Sequence, residues 1–129
     1  MTLITPCRDV IITSRSEKSS QAFIESMKTS EYERDREWNI KYGSAHEIGQ
    51  SCQLIHTATN AREPILKEVK KQPFCHITCV GADTPGKQEI ASDIVKSADL
   101  VLYDHKEQVT FNTSHFKDLL THGDFLTLG

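Results

Sequence analysis

The chain has 129 residues, of which 37% are hydrophobic and 26% charged, with a formal net charge of −3. That length suits a single domain (residues 1–129) with an ordinary core, and the slight negative charge gives no general attraction to nucleic acid or acidic membranes. No stretch approaches the ~20 apolar residues of a membrane span, and residues 1–9 lack the basic start and apolar run of a signal peptide, so a cytoplasmic protein is expected.

Residues 9–14 (Asp-Val-Ile-Ile-Thr-Ser) form a continuous β-branched run, the pattern of a buried parallel strand. Ser14 or Ser16 is placed to cap a following helix, in which Ala22, Phe23, Ile24 and Met27 make a narrow apolar stripe. Residues 30–37 mix both signs of charge and read as a solvated helix end or loop. Trp38, Ile40 and Tyr42 alternate with Asn39 and Lys41, as in a half-buried edge strand, and Gly43 breaks it. Ser44-Ala45-His46-Glu47 has capping-box spacing and predicts a short helix ending near Gly49.

Residues 52–57 (Cys-Gln-Leu-Ile-His-Thr) and 74–80 (Phe-Cys-His-Ile-Thr-Cys-Val) are the next two strands. A short helix is predicted over 89–97, with Ile90, Ile94 and Val95 apolar, and a fourth buried strand over 98–103. Thr113 or Ser114 can cap a last helix carrying Phe116, Leu119 and Leu120, with Gly123 as its stop; residues 125–128 suggest a final short strand. Strands alternating with helices at this spacing define a parallel α/β sheet flanked by helices.

Cys7, Cys52, Cys75 and Cys79 read as free thiols, the last three buried in strand-like runs, rather than as disulfides. Cys75 and Cys79 lie at opposite ends of one strand, whereas zinc pairs close a tight knuckle; no metal is expected.

Two segments carry the chemistry. Residues 57–65 (Thr-Ala-Thr-Asn-Ala-Arg-Glu-Pro-Ile) and 80–90 (Val-Gly-Ala-Asp-Thr-Pro-Gly-Lys-Gln-Glu-Ile) each follow an apolar strand. They therefore lie at the carboxyl ends of strands, where open α/β sheets place their ligands. Gly81 and Gly86 permit positive φ and close approach, Pro85 stiffens the loop between them, and Asp83 stands near Lys87. Arg15 ends the first strand. In dinucleotide-binding folds an arginine there favours a 2′-phosphate, where an acid would bind the ribose; an exposed arginine beside a helix N-terminus is the other reading.

The order and wording of these segments resemble the nucleotide-binding half of the ornithine cyclodeaminase/mu-crystallin family. The resemblance covers about residues 9–128 and only a central slice of the family. It implies a truncated Rossmann-like fold with NAD(P) as the cofactor. It implies that Arg15, Thr57, Thr59, Asn60 and Gly81 face the cofactor, with Thr57–Asn60 on the nicotinamide side and Arg62, Glu63 and Pro64 following the same pattern. It implies that Asp83 is the carboxylate that acts on the amine of an amino acid during hydride transfer, a role that needs a base beside the nicotinamide. The alternative for the second motif is that Asp83 and Lys87 pair and, with Pro85, Gly86 and Glu89, only shape the loop.

The chain departs from the family in several places. No Gly-rich turn of the G-x-G-x-x-G kind, the usual pyrophosphate holder, occurs in it. Residues 3–9 resemble the tail of the family's first helix, so its first strand and phosphate loop would precede residue 1. The substrate domain and the C-terminal return segment have no counterpart, and Asn112-Thr113 stands where the family often has Gly-Glu. In the sheet order 3-2-1-4-5-6 the missing strand is central. Its neighbours, residues 10–13 and 53–56, are then expected either to close on each other or to receive another chain.

Three functions follow: a non-catalytic remnant with at most weak nucleotide binding, assembled as a homo-oligomer and most simply a dimer; a subunit of an NAD(P)-dependent amino-acid enzyme completed by another chain; or a regulatory module binding a small metabolite at the Asp83 loop.

Overall fold

The computed structural model describes residues 7–29 and 38–104 and the backbone of residues 125–127. The chain divides into two compact units, Met1–Ile48 and Gly49–Gly129.

In the first unit, β1 (Asp9–Ile12) pairs in parallel with β2 (Asn39–Tyr42), with Val10 opposite Ile40 and Ile12 opposite Tyr42. Asn39 Nδ2 donates to Asp9 Oδ1 at 2.8 Å across the start of the ladder. Between them runs α1 (Glu17–Lys28). Of the two candidate caps, Ser16 is the N-cap: its Oγ accepts from the Ser19 amide at 3.2 Å, satisfying one of the otherwise orphaned first-turn donors. Of the expected stripe, Ile24 is buried and Met27 half-buried, while Phe23 and Ala22 are exposed; Ser20, one turn before Ile24, takes the other buried place. Ser20 fits the interior because its hydroxyl pairs with Ser14 Oγ at 2.9 Å, so this buried oxygen is matched.

The helix expected after Gly43 is α2 (Ala45–Ser51). Ser44 Oγ accepts from the Glu47 amide at 3.1 Å, which is half of the capping box. The Glu47 side chain instead takes Lys41 Nζ at 2.7 Å, because a charged partner outcompetes the return bond.

In the second unit, β3 (Leu54–Thr57) pairs in parallel with β4 (His76–Cys79), and β5 (Val101–Tyr103) with β6 (Phe125–Thr127). An isolated parallel bridge joins Leu66 to Ile90. The core holds Ile55, Leu66 and Ile94.

The helix expected over 89–97 is shorter, α3 (Ser92–Lys96). Residues 88–91 are used for extended pairing: the Gln88 amide donates to Ala61 O at 2.8 Å, the Ile65 and Leu66 amides to Glu89 O at 2.9 and 3.1 Å, and the Ala91 amide to Leu66 O at 2.9 Å. Local helical spacing loses here to these tertiary bonds. The strands are also less buried than the apolar runs implied. Thr57 and Ile55 are buried while Leu54 and His56 are exposed, so β3 shows the alternation of a one-sided sheet. Leu102 of the expected buried strand is exposed as well.

All four cysteines are free, but Cys7, Cys75 and Cys79 are exposed and Cys52 is half-buried. The expected thiol burial fails where, among the described residues, each ladder pairs two strands. Residues 10–12 ladder with β2 and residues 54–56 with β4, so neither ladder is the expected closure of the two runs on each other. The charged stretch 30–37 and the last predicted helix lie outside the described residues. Among the described residues no helix is long and apolar enough to cross a membrane.

Candidate functional site

The parallel register of β3 and β4 places Thr57 opposite Cys79. The 57–60 turn and the 81–87 loop therefore leave the sheet side by side, at the same carboxyl end. This is why two motifs far apart in sequence form one site.

Glu89 stands at its centre. It is only 2% exposed, and its carboxylate collects four donors. Oε1 accepts from the Thr59 amide at 2.6 Å and Thr59 Oγ1 at 2.8 Å. Oε2 accepts from Thr57 Oγ1 at 2.8 Å and the Gly81 amide at 2.8 Å. A buried carboxylate is tolerated when its desolvation is offset by such charge-assisted bonds. Thr59 Oγ1 further accepts from the Ala61 amide at 3.3 Å, which tightens the turn.

The two glycines of the loop serve different needs. Gly86 has φ of 81°, the left-handed region that disfavours a side chain. Gly81 has no such dihedral, but a Cβ there would collide with the Thr59 backbone and the Glu89 carboxylate. It is glycine because two backbone segments approach that closely.

Toward solvent, Lys87 bridges the loops. Its Nζ donates to Asn60 Oδ1 at 2.9 Å and pairs with Asp83 Oδ1. The Lys87 side chain is 15% exposed and that of Asp83 62%, so a mostly buried ammonium presents an outward carboxylate. The hydrogen bond from Lys87, aided by its charge, holds the Asp83 carboxyl below its ordinary range. Pro85 is exposed at the tip of the loop.

The structure thus brings together Thr57, Thr59, Asn60, Gly81, Asp83, Lys87 and Glu89. Arg15 is exposed in the first unit, just before the Ser16 cap of α1. The central position of Glu89 was not legible from its spacing, which placed it at the head of a helix; the available signal was an acid opening an otherwise apolar run. The fit to a dinucleotide is specific in one respect. The donors of Thr57, Thr59 and the Gly81 amide are turned onto Glu89, so they cannot also cradle a pyrophosphate. What faces outward is Ala58, Asn60 and Asp83, with Lys87 mostly buried behind them, which fits a supporting wall beside a ligand rather than a phosphate holder. Among the described residues no group of three or more His, Cys, Asp or Glu could hold a metal ion.

This arrangement, parallel β–α units with loops converging at the strands' carboxyl ends, defines an α/β protein of Rossmann-like type. An archaeal alanine dehydrogenase dimer with bound NAD shares the fold, with a TM-score of 0.73 and 27% identity over 93% of this chain and 36% of that one. In sequence, the alanine dehydrogenase of Archaeoglobus fulgidus is 33% identical over 88 residues, which is 68% of this chain and 25% of that protein. A Delta(1)-pyrroline-2-carboxylate reductase of Bacillus cereus is 28% identical over 116 residues, 90% of this chain and 34% of that protein. Residues 1–115 match the ornithine cyclodeaminase/mu-crystallin family. The chain belongs to that family, and it spans roughly a quarter to a third of the length of these relatives.

Proposed function

We propose that these 129 residues are a piece of the nucleotide-facing domain of an ornithine cyclodeaminase/mu-crystallin family protein. By themselves they are non-catalytic, bind NAD(P) weakly at most, and self-associate. The observation that carries this reading is the Glu89-centred mouth of β3 and β4. It keeps the wall of a ligand site, with Asp83 outward, but commits to internal bonds the donors that could have gripped a phosphate. The sequence contains no Gly-rich turn to replace them. In this reading Asn60 and the 57–60 turn border the nicotinamide side, Arg15 favours a 2′-phosphate, and Asp83 is the carboxylate nearest a substrate amine. Pro85, Gly86, Lys87 and Glu89 hold the loop that carries it.

A thermal-shift titration with NAD, NADH, NADP and NADPH tests this, since a ligand that binds only the folded state raises the melting point. A small shift at millimolar dinucleotide is expected. NAD(P)H production from ornithine or alanine by this chain alone, lost in Asp83→Asn, would refute the non-catalytic reading.

One observation favours a second reading, an amino-acid dehydrogenase or cyclodeaminase subunit completed by further polypeptide. The Asp83–Lys87–Asn60 cluster is assembled, with Asp83 and Asn60 exposed, although the chain spans only a fraction of its relatives. Co-expression with a segment bearing a Gly-rich turn, followed by an assay for dinucleotide-dependent turnover, separates the two.

A further inference from the structure

Residue 89 is where three segments of the second unit meet. Its carbonyl accepts from the Ile65 and Leu66 amides, and its carboxylate accepts from the 57–59 turn and from Gly81. Two of the four donors to the carboxylate are backbone amides, one on each oxygen: Thr59 on Oε1 and Gly81 on Oε2. Hydroxyls rotate to suit a partner, whereas a backbone N–H has a fixed direction. Both oxygens must therefore be acceptors. A carboxylate meets that demand, and a glutamine in either orientation turns an NH2 group against one of the amides. At 2% exposure water cannot substitute.

We propose that Glu89 is a positioning residue: its carboxylate is a built-in anion that locks the 57–60 turn to the 81–87 loop and so holds Asn60 within reach of the Lys87–Asp83 pair. The lock stands on the geometry of this chain. Its consequence for nucleotide binding rests on the function proposed above.

Side-chain amide NMR of Asn60 tests it in the 129-residue chain. In the parent, Asp83→Asn removes the negative charge paired with Lys87 and shifts the Asn60 amide signals through the Lys87 bridge. In a Glu89→Gln background the same Asp83→Asn change is expected to leave them unmoved, because the bridge is already broken. A merely stabilising role for Glu89 would lower the melting point without erasing this response. An undiminished response in folded Glu89→Gln protein overturns the proposal. Should Glu89→Gln fail to fold, Thr57→Val, which deletes one hydroxyl donor at nearly constant shape, takes its place. A reduced Asn60 response then supports the lock, and a full response overturns it. NADH and NADPH titrations form the second arm. Where the parent binds, Glu89→Gln weakens binding about tenfold, the loss expected of one misplaced charge-assisted hydrogen bond. Where the parent binds neither, the assignment of the 57–60 turn to a nicotinamide side fails while the NMR arm still decides the lock.

Discussion

Replacing each loop glycine by alanine should separate two physical roles that the sequence shows as identical. At Gly81 the added methyl enters a space already filled by the Thr59 backbone and the Glu89 carboxylate. Overpacking of this kind costs about 1–3 kcal/mol. Relief requires moving Gly81 off Glu89, which forfeits an amide–carboxylate bond of about 1.5–3 kcal/mol. A loss near 3 kcal/mol is therefore expected, or roughly a 10 °C fall in Tm for a chain of this size. At Gly86 the Cβ meets only the tip of Arg62 at 3.3 Å, but φ is +81°. The left-handed penalty is about 1–2 kcal/mol, partly offset by a less flexible unfolded chain, which leaves about 1 kcal/mol. Gly86→Asn should recover part of that, since asparagine tolerates the left-handed region; Gly81→Asn should not. Urea midpoints at unchanged m-value, together with hydrogen exchange at the Thr59 and Gly81 amides, measure the difference. Equal destabilisation by the two alanine variants, or a larger effect at Gly86, would refute the close-approach argument.

Lys87→Met removes the cation that depresses the Asp83 carboxyl. A depressed carboxylate contributes stability above its ordinary pKa of 3.8 and loses it as pH falls through the lower folded value. The gap in urea midpoint between parent and variant should thus be full at neutral pH and shrink below pH 3.8 toward what the Asn60 bond alone supplies; a gap that ignores pH would exclude the pairing. Arg15→Asp should move any dinucleotide preference from NADP toward NAD, because a 2′-phosphate needs a cation and a free ribose hydroxyl an acceptor; isothermal titration with unchanged affinities for both counts against the assignment. Self-association is expected because Leu54, Phe74, Val80, Leu100 and Leu102 are all exposed, and a contiguous exposed apolar patch usually marks an interface. A two-fold dimer is the simplest way to cover it. Sedimentation of a lone species at the 14.6 kDa monomer mass at micromolar concentration would contradict this.

The sequence by itself determined the parallel α/β class, the positions of most strands and a serine-capped start of α1 at Ser14 or Ser16, because β-branched runs, capping serines and punctuating glycines act through neighbours a few residues away. It also located both motifs at strand ends. It indicated Ile24 on the buried side of α1 but not its other member: Ser20 is buried, its hydroxyl paired with Ser14, while Phe23 is exposed, and no hydropathy pattern contains that bond. Nor could it foresee that residues 89–91 would abandon helix for extended pairing with 65–66. Above all, the convergence of Thr57, Thr59 and Gly81 on Glu89 joins positions eight to 32 residues apart. Only the parallel register of β3 and β4 brings them within hydrogen-bond distance, and only burial makes that carboxylate the structural centre of the site.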